Sequence, residues 1–327
     1  MKSKRNINTK EICDQIKKGN ITALSKAITL SESNINSDQE LANKILAKLK
    51  TKNNDSIRIG ITGVPGAGKS TFIESFGNHI TNLGLKLAVL TIDPSSSVTK
   101  GSILGDKTRM ETLSVNKNVF IRPSPASNFQ GGVGKNTRES IFLCESAGYD
   151  IILIETVGVG QNEISVAEMV DFFLLLKISG SGDELQGIKR GIIEMSDLIA
   201  INKCDSDNVK DSIKAKNEFK LALQLFPKKK SNWKPQVLTC SSLTGEGLAE
   251  IWECITNYVN LTKKNNYFYE NRINQNKSWL LQIIDYSLRK SFFNRKSIKI
   301  KLNNLIKKIE EQKISIFEAS RKILSEI

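Results

Sequence analysis

From residue 57 onward the chain alternates short apolar runs with amphipathic stretches, and that alternation restricts its fold more than any other feature. The runs are "IRIGIT", "KLAVLTI", "IILIET", "VDFFLLLKI", "LIAIN" and "QVLTCS". Between them, helical patterns begin at Lys69, run near 136–147, 184–195 and 208–226, and resume at 247. Strands this apolar keep both faces out of water, which a parallel sheet covered by helices on each side provides. The expected fold is α/β, with a mostly parallel central sheet. Residues 7–50 read instead as two or three amphipathic helices, with "SDQE" (37–40) as a capping box opening "LANKILAKLK". After about 264 only helical patterns remain. The expected organisation is an N-terminal helical extension (1–52), the α/β domain (53–263) and a C-terminal helical arm (264–327).

The first run leads into "GVPGAGKS" (63–70), which is G-x-x-x-x-G-K-[ST] placed between a strand and a helix. Glycines let successive backbone N–H groups curl around a phosphate, and the helix N-terminus adds its positive end. The expected cradle is Gly63, Val64, Pro65, Gly66, Ala67, Gly68, Lys69, Ser70 and Thr71. Lys69 would reach the β- and γ-phosphates of a nucleotide, and the Ser70 hydroxyl can ligate Mg²⁺. A P-loop NTPase is therefore expected. Mg²⁺ takes hard oxygen donors. Asp93 and Glu155 end strands on the loop's side of the sheet, and Asp106 lies in the polar segment after Asp93.

"NKCD" (202–205) follows "DLIAI" and points to the base. A carboxylate is acceptor-only, so Asp205 can take both the N1–H and the 2-amino hydrogens of guanine. Adenine presents a lone pair at N1 and would be rejected. Asn202 suits a brace that also meets the base edge, and the Lys203 stem can lie over the flat face. Ser241, Ser242 and Leu243 follow the next strand, where a backbone N–H could meet guanine O6.

Net charge is +14, from 48 basic and 34 acidic residues, which raises nucleic acid as a partner. The lysines, however, are spread along helices, with one compact run at Lys228–Lys230 and no interleaved aromatics. A solvated surface or an acidic protein partner explains the charge, and no nucleic-acid role is expected. Five cysteines form no C-x-x-C and read as reduced core residues. The single histidine, His79, excludes a His-rich metal centre. No apolar stretch approaches the roughly 20 residues of a membrane helix, and "MKSKRNINTK" precedes no apolar signal core. A cytoplasmic protein without membrane contact is expected.

Taken together, "GVPGAGKST", "IDPSSSVTKGSILGDKTRM", "FIRPSPASNFQGGVGKNTRE", "LIETVGVGQNE", "GSGDELQGIKRGI" and "NKCD" resemble the methylmalonyl-CoA mutase-associated GTPases of the MeaB/ArgK type. The resemblance covers nearly the whole chain. It implies GTP/GDP and Mg²⁺ as ligands, homodimerisation through the C-terminal helices, and methylmalonyl-CoA mutase or a related cobalamin-dependent acyl-CoA mutase as partner. Adenosylcobalamin is then expected on the partner, because the D-x-H-x-x-G cobalamin ligand motif is absent around His79. It also implies that Asp93, Asp106 and Glu155 form the acidic metal set, and that Asp93–Met110 and Glu155–Glu163 are switches. The glycine-rich start and charged sequel of "SGSGDELQGIK" resemble a third switch, able to move and to hold different partners in each state.

Two departures from Ras-like patterns bear on hydrolysis. Val159 stands where a water-orienting Gln would directly follow the acid-x-x-G motif, and Gln161 lies two residues further on. The motif acid is Glu155 where Asp is usual. Slow intrinsic hydrolysis is expected, with Lys69, Glu155, Gln161 and Lys189 as the candidate catalytic set, Lys189 as a cation for transition-state charge. A nickel-insertion GTPase would carry His- or Cys-rich ligands, and a transport-protein kinase would need a phosphoacceptor base. Neither signature is present, so both are alternatives to a GTPase chaperone.

Overall fold

The computed structural model describes residues 8–49, 55–93, 110–125, 132–156, 162–180 and 190–325. Its strands are β1 (Ile57–Gly63), β2 (Leu87–Asp93), β3 (Val119–Pro125), β4 (Ile151–Thr156), β5 (Phe172–Ile178), β6 (Leu198–Asn202) and β7 (Gln236–Thr239). These seven form one sheet in the order β3-β2-β4-β1-β5-β6-β7. Every pairing among them is parallel. Six of the strands are legible as apolar runs. The seventh, β3, is "VFIRPSP", where two prolines and an arginine break the pattern. Proline is tolerated in a sheet only where its missing N–H is not needed, and β3 is an edge strand.

The helices are α1 (Thr9–Lys17), α2 (Ile21–Glu32), α3 (Asn36–Lys48), α4 (Lys69–Asn82), α5 (Glu111–Ser114), α6 (Gly132–Ser146), α7 (Asn162–Ala167), α8 (Arg190–Met195), α9 (Val209–Leu223), α10 (Leu248–Lys264), α11 (Tyr267–Asn294), α12 (Lys296–Glu310) and α13 (Ile316–Leu324). Alternation along each strand sends neighbouring side chains to opposite faces. Ile59, Ile61, Val89 and Leu153 pack with Phe72 and Phe76 of α4 and with Ile251 and Ile255 of α10. Ala88, Leu90, Ile152 and Ile154 face the other way, onto α2, α6 and α7. Each large side chain so buried contributes about 1.5–3 kcal/mol. The N-terminal helices thus share a core with β2 and β4.

One helix start differs from its sequence signature. α3 begins at Asn36 with Ile35 in the cap position and no side-chain cap. Ser37 therefore lies inside the first turn. Ser33 closes this end instead, accepting from the Ile35 N–H at 3.2 Å and donating to Asp38 at 2.7 Å. The Lys228–Lys230 run is also less open than its composition suggests. Lys229 Nζ donates to the Met195 and Ser196 carbonyls and to Asp197, all within 2.8 Å, closing the C-terminus of α8.

By contact the chain divides into two units, Met1–Gln275 and Asn276–Ile327. In the first, charges are buried at the N-terminal edge of the sheet. Arg58 of β1 grips Glu145 of α6 through Nε at 2.7 Å and Nη2 at 3.0 Å. Arg272 of α11 grips Asp171 through Nε at 2.8 Å and Nη2 at 2.6 Å. Asp171 also accepts the Arg58 N–H at 2.8 Å, joining the two pairs. In the second unit, Ile298 and Leu305 of α12 and Ala319 of α13 are buried, while Leu280, Leu281, Ile284 and Leu288 of α11 are exposed.

Candidate functional site

In a wholly parallel sheet the C-terminal ends of all strands share one edge, and ligands of open α/β sheets bind in the crevice there. β1 delivers Gly63 to that edge and α4 begins at Lys69, so the glycine-rich stretch is the turn between them. A Cβ at Gly63 would stand 2.4 Å from the Leu176 carbonyl oxygen, so β1 can lie against β5 there only as glycine. Gly66 and Gly68 hold φ of +83° and +84°, a region costly for other residues. Ala67 is buried beneath the turn, while Val64, Pro65, Ser70 and Thr71 stay at least partly open to solvent.

Lys69 folds back over the loop and donates to the carbonyls of Gly63 at 2.8 Å and Val64 at 3.3 Å. Burial lowers its pKa below the ordinary lysine value, opposed by the carboxylates of Glu155 and Glu163. Glu155 is buried on β4, in register with Ile61 of β1 and Thr91 of β2. Thr156 donates to the Thr62 hydroxyl at 2.9 Å, fixing the end of β4 against β1. Asp93 is the last residue of β2, one strand further out. Ser70, Glu155 and Asp93 are hard oxygen donors of the kind Mg²⁺ requires, and the set fits that ion chemically. Among the described residues, no group of three His, Cys, Asp or Glu gathers to hold a metal.

The base-side loops are tied to this cradle. Asn202, fully buried, donates from Nδ2 to the Ala67 carbonyl at 2.9 Å. Its Oδ1 accepts the Ser242 N–H at 3.1 Å and the Ser242 hydroxyl at 2.8 Å. Both ends of the amide are engaged inside the protein. Lys203 follows with φ of +60°, and its Cε lies 3.9 Å from where a Gly68 Cβ would be, so the stem runs beside the phosphate loop. Ser241 donates from its hydroxyl to one Asp205 carboxylate oxygen. The same hydroxyl accepts the N–H groups of Leu243 at 3.3 Å and Thr244 at 3.2 Å. The Leu243 side chain is exposed.

Asp106, Gln161, Lys189 and most of the 179–189 segment lie outside the described residues. Two contributors have no sequence signature. Ser75, on the second turn of α4, donates to the Ser242 carbonyl at 2.5 Å. The Cys204 N–H donates to the Cys240 carbonyl at 3.0 Å, carrying the β6–β7 pairing into the loops. Both join segments far apart in the chain, which no local pattern can report.

A phosphate cradle on β1, an acid at the end of β4 and an Asn-Lys-x-Asp loop after β6 define a P-loop protein of the guanine-nucleotide-binding class. The family model described as Methylmalonyl Co-A mutase-associated GTPase MeaB matches residues 24–297, and the chain belongs to that family. GTPase ArgK of Escherichia coli (strain K12) is 45% identical over 266 residues, 81% of this chain and 80% of that one. The methylmalonic aciduria type A homolog, mitochondrial, of Mus musculus is 43% identical over 302 residues, 89% of this chain and 73% of that one. Among solved structures, one described as LAO/AO transport system kinase superposes with a TM-score of 0.75 at 33% identity, covering 98% of each chain. Among the described residues no helix is long and apolar enough to cross a membrane.

Proposed function

We propose that this chain binds and hydrolyses GTP, and that the nucleotide state gates adenosylcobalamin loading into, and protection or reactivation of, methylmalonyl-CoA mutase or a related acyl-CoA mutase. The observation that carries the nucleotide half is the Asn202 bridge, which joins the phosphate loop at Ala67 to the base-side loop at Ser242. With Asp205 held by Ser241, phosphate and base are read as one unit. The acidic edge of guanine meets a carboxylate, while ATP would leave that carboxylate facing a lone pair.

In the proposed cycle the backbone N–H groups of 63–70 and Lys69 hold the β- and γ-phosphates. Ser70, Asp93 and Glu155, with Asp106, would hold Mg²⁺, which when bound draws charge from the phosphate oxygens. Lys69 exchanges its loop carbonyls for phosphate oxygens and gains a stronger, charge-assisted partner. Gln161 and Lys189 remain proposed participants. The mutase half rests on the family's description and on the mouse relative's name. The exposed apolar stripe of α11 supports a homodimeric arm, since such a face gains by meeting a second chain. The cobalamin is assigned to the partner.

A gate requires that the partner bind one nucleotide state better than the other. Pull-down from a native extract with the full chain as bait, loaded with GTP or GDP, tests this. Recovery of a cobalamin-dependent acyl-CoA mutase that differs between the two states supports the proposal. Recovery of the mutase in neither state would sink it.

A further inference from the structure

The helix after β4 brings a carboxylate toward the phosphate site that the nucleotide motifs leave without a task. α7 runs from the C-terminal sheet edge back toward the start of β5, and its Val166 packs on Gly60 of β1. A Cβ at Gly60 would meet Val166 Cγ1 at 3.0 Å and Val170 Cγ2 at 3.2 Å. Glu163 lies three residues before Val166, on the same face of α7 and nearer the N-terminal end of that helix. It is 4% exposed, and among the described residues its Oε2 has no hydrogen-bond partner. Its charge is felt at Lys69, whose lysine-loop contacts place Nζ against Gly63 and Val64.

A buried carboxylate oxygen without a donor is costly, and in native proteins such groups mark a ligand water, an ion or a catalytic task. Here a bare carboxylate would face the negative charge of a terminal phosphate. A water between them removes that conflict, because it donates to the carboxylate and turns a lone pair to phosphorus. The position that supplies a glutamine in Ras-like proteins is Val159, and a hydrocarbon cannot orient water.

We propose that Glu163 orients the attacking water of GTP hydrolysis by accepting its hydrogen bond at Oε2, an inference that rests on the GTPase reading above. The new bond forms between the water oxygen and the γ-phosphorus as the bond from phosphorus to the β–γ bridging oxygen breaks. That bond's electron pair stays on GDP, the water's proton ends on inorganic phosphate, and Glu163 is unchanged over the cycle.

The test compares full-length parent protein with Glu163→Gln and Glu163→Ala variants in single-turnover GTP hydrolysis with Mg²⁺. Calorimetric binding of GDP alone and of GDP with aluminium fluoride accompanies it. The glutamine variant keeps the shape of the side chain but accepts more weakly. Its amide oxygen still accepts, so it should slow hydrolysis only severalfold, as a weaker acceptor would. The alanine variant, which removes the acceptor, should hydrolyse about 10²-fold more slowly. The alanine variant's affinity for GDP should match the parent's, while the extra affinity gained with aluminium fluoride, which mimics the phosphoryl group meeting its water, should be lost. Hydrolysis by the alanine variant at the parent rate, or GDP affinity falling in step with rate in both variants, would overturn the role of Glu163. A parent that binds no GDP would overturn the GTPase reading itself, a separate result.

Discussion

Asn202 holds Ala67 with its amide nitrogen at 2.9 Å and Ser242 with its amide oxygen at 2.8 Å, so one buried side chain fastens the phosphate loop to the base-side loop. Gly68 leaves room for it, since a Cβ there would press to 2.8 Å from Nδ2. Replacing Asn202 with alanine removes these bonds and strands a carbonyl and an N–H in the interior. The expected cost is about 2–4 kcal/mol of stability. GDP affinity should fall at least about tenfold, because hydrogen-bond losses of this size correspond to such factors. Thermal unfolding and GDP titration of the Asn202→Ala variant check both values.

Lys69 offers a proton-linked signature. Burial lowers its pKa in the ligand-free site, so the amine loses its proton at a lower pH than an ordinary lysine. Phosphate favours the charged form and raises the pKa again. The sign follows: in the alkaline window between the lowered and the restored value, nucleotide binding takes up protons. For folding alone, a depressed lysine means the unfolded chain binds more protons there, so this group's contribution to stability rises with pH across that window. Calorimetry of GDP binding at alkaline pH, in buffers of different ionisation enthalpy, should show proton uptake that disappears in Lys69→Met.

The ion pairs at the opposite sheet edge should act on stability and leave nucleotide selectivity alone. Asp171 holds Arg272 at 2.6 Å and the Arg58 N–H at 2.8 Å. Removing one partner strands a buried charge, at a cost of about 3–5 kcal/mol. Denaturant unfolding of Arg272→Ala should show that loss, while folded protein keeps the parent's preference between guanine and adenine nucleotides.

The thiols divide by burial. Cys240 and Cys254 are buried and pushed up to about 12, and Cys144 is raised further, all chiefly by desolvation. Cys13 is buried and raised as well, for the same reason. Only the thiolate reacts readily, so mass spectrometry after maleimide treatment of the folded protein near pH 7.5 should find one modified residue, the part-exposed Cys204. Denaturation should open the other four.

Much of this was legible in the sequence because strand burial and phosphate binding leave local signatures. The apolar runs mark six strands, and the loop at 63–70 shows its glycine spacing. β3 was not legible, because at an edge its two prolines carry no penalty and its pattern resembles a loop. The start of α3 departs from the capping box at 37–40 because the chain is already helical at Asn36, and Ser33, just ahead of it, bonds the Ile35 N–H and Asp38. Glu163 was visible only as the end of a switch segment. Its burial, and the lack of a partner for Oε2 among the described residues, belong to the folded state in which α7 lies against β1, and no spacing within "GQNEISVAE" reveals them.

Guanine selection by Asp205 is the claim on which the rest depends, and base-swap calorimetry reaches it most directly. The parent chain with Mg²⁺ should bind GDP and reject ADP by at least about 10²-fold, since two hydrogen bonds to a charged group are worth roughly 3 kcal/mol or more. In Asp205→Asn the amide can donate to the 2-oxo group of xanthine, so GDP should weaken and XDP should become the tighter ligand. Equal GDP and ADP affinities in the parent, or an Asp205→Asn variant with the parent's GDP affinity, would contradict the account.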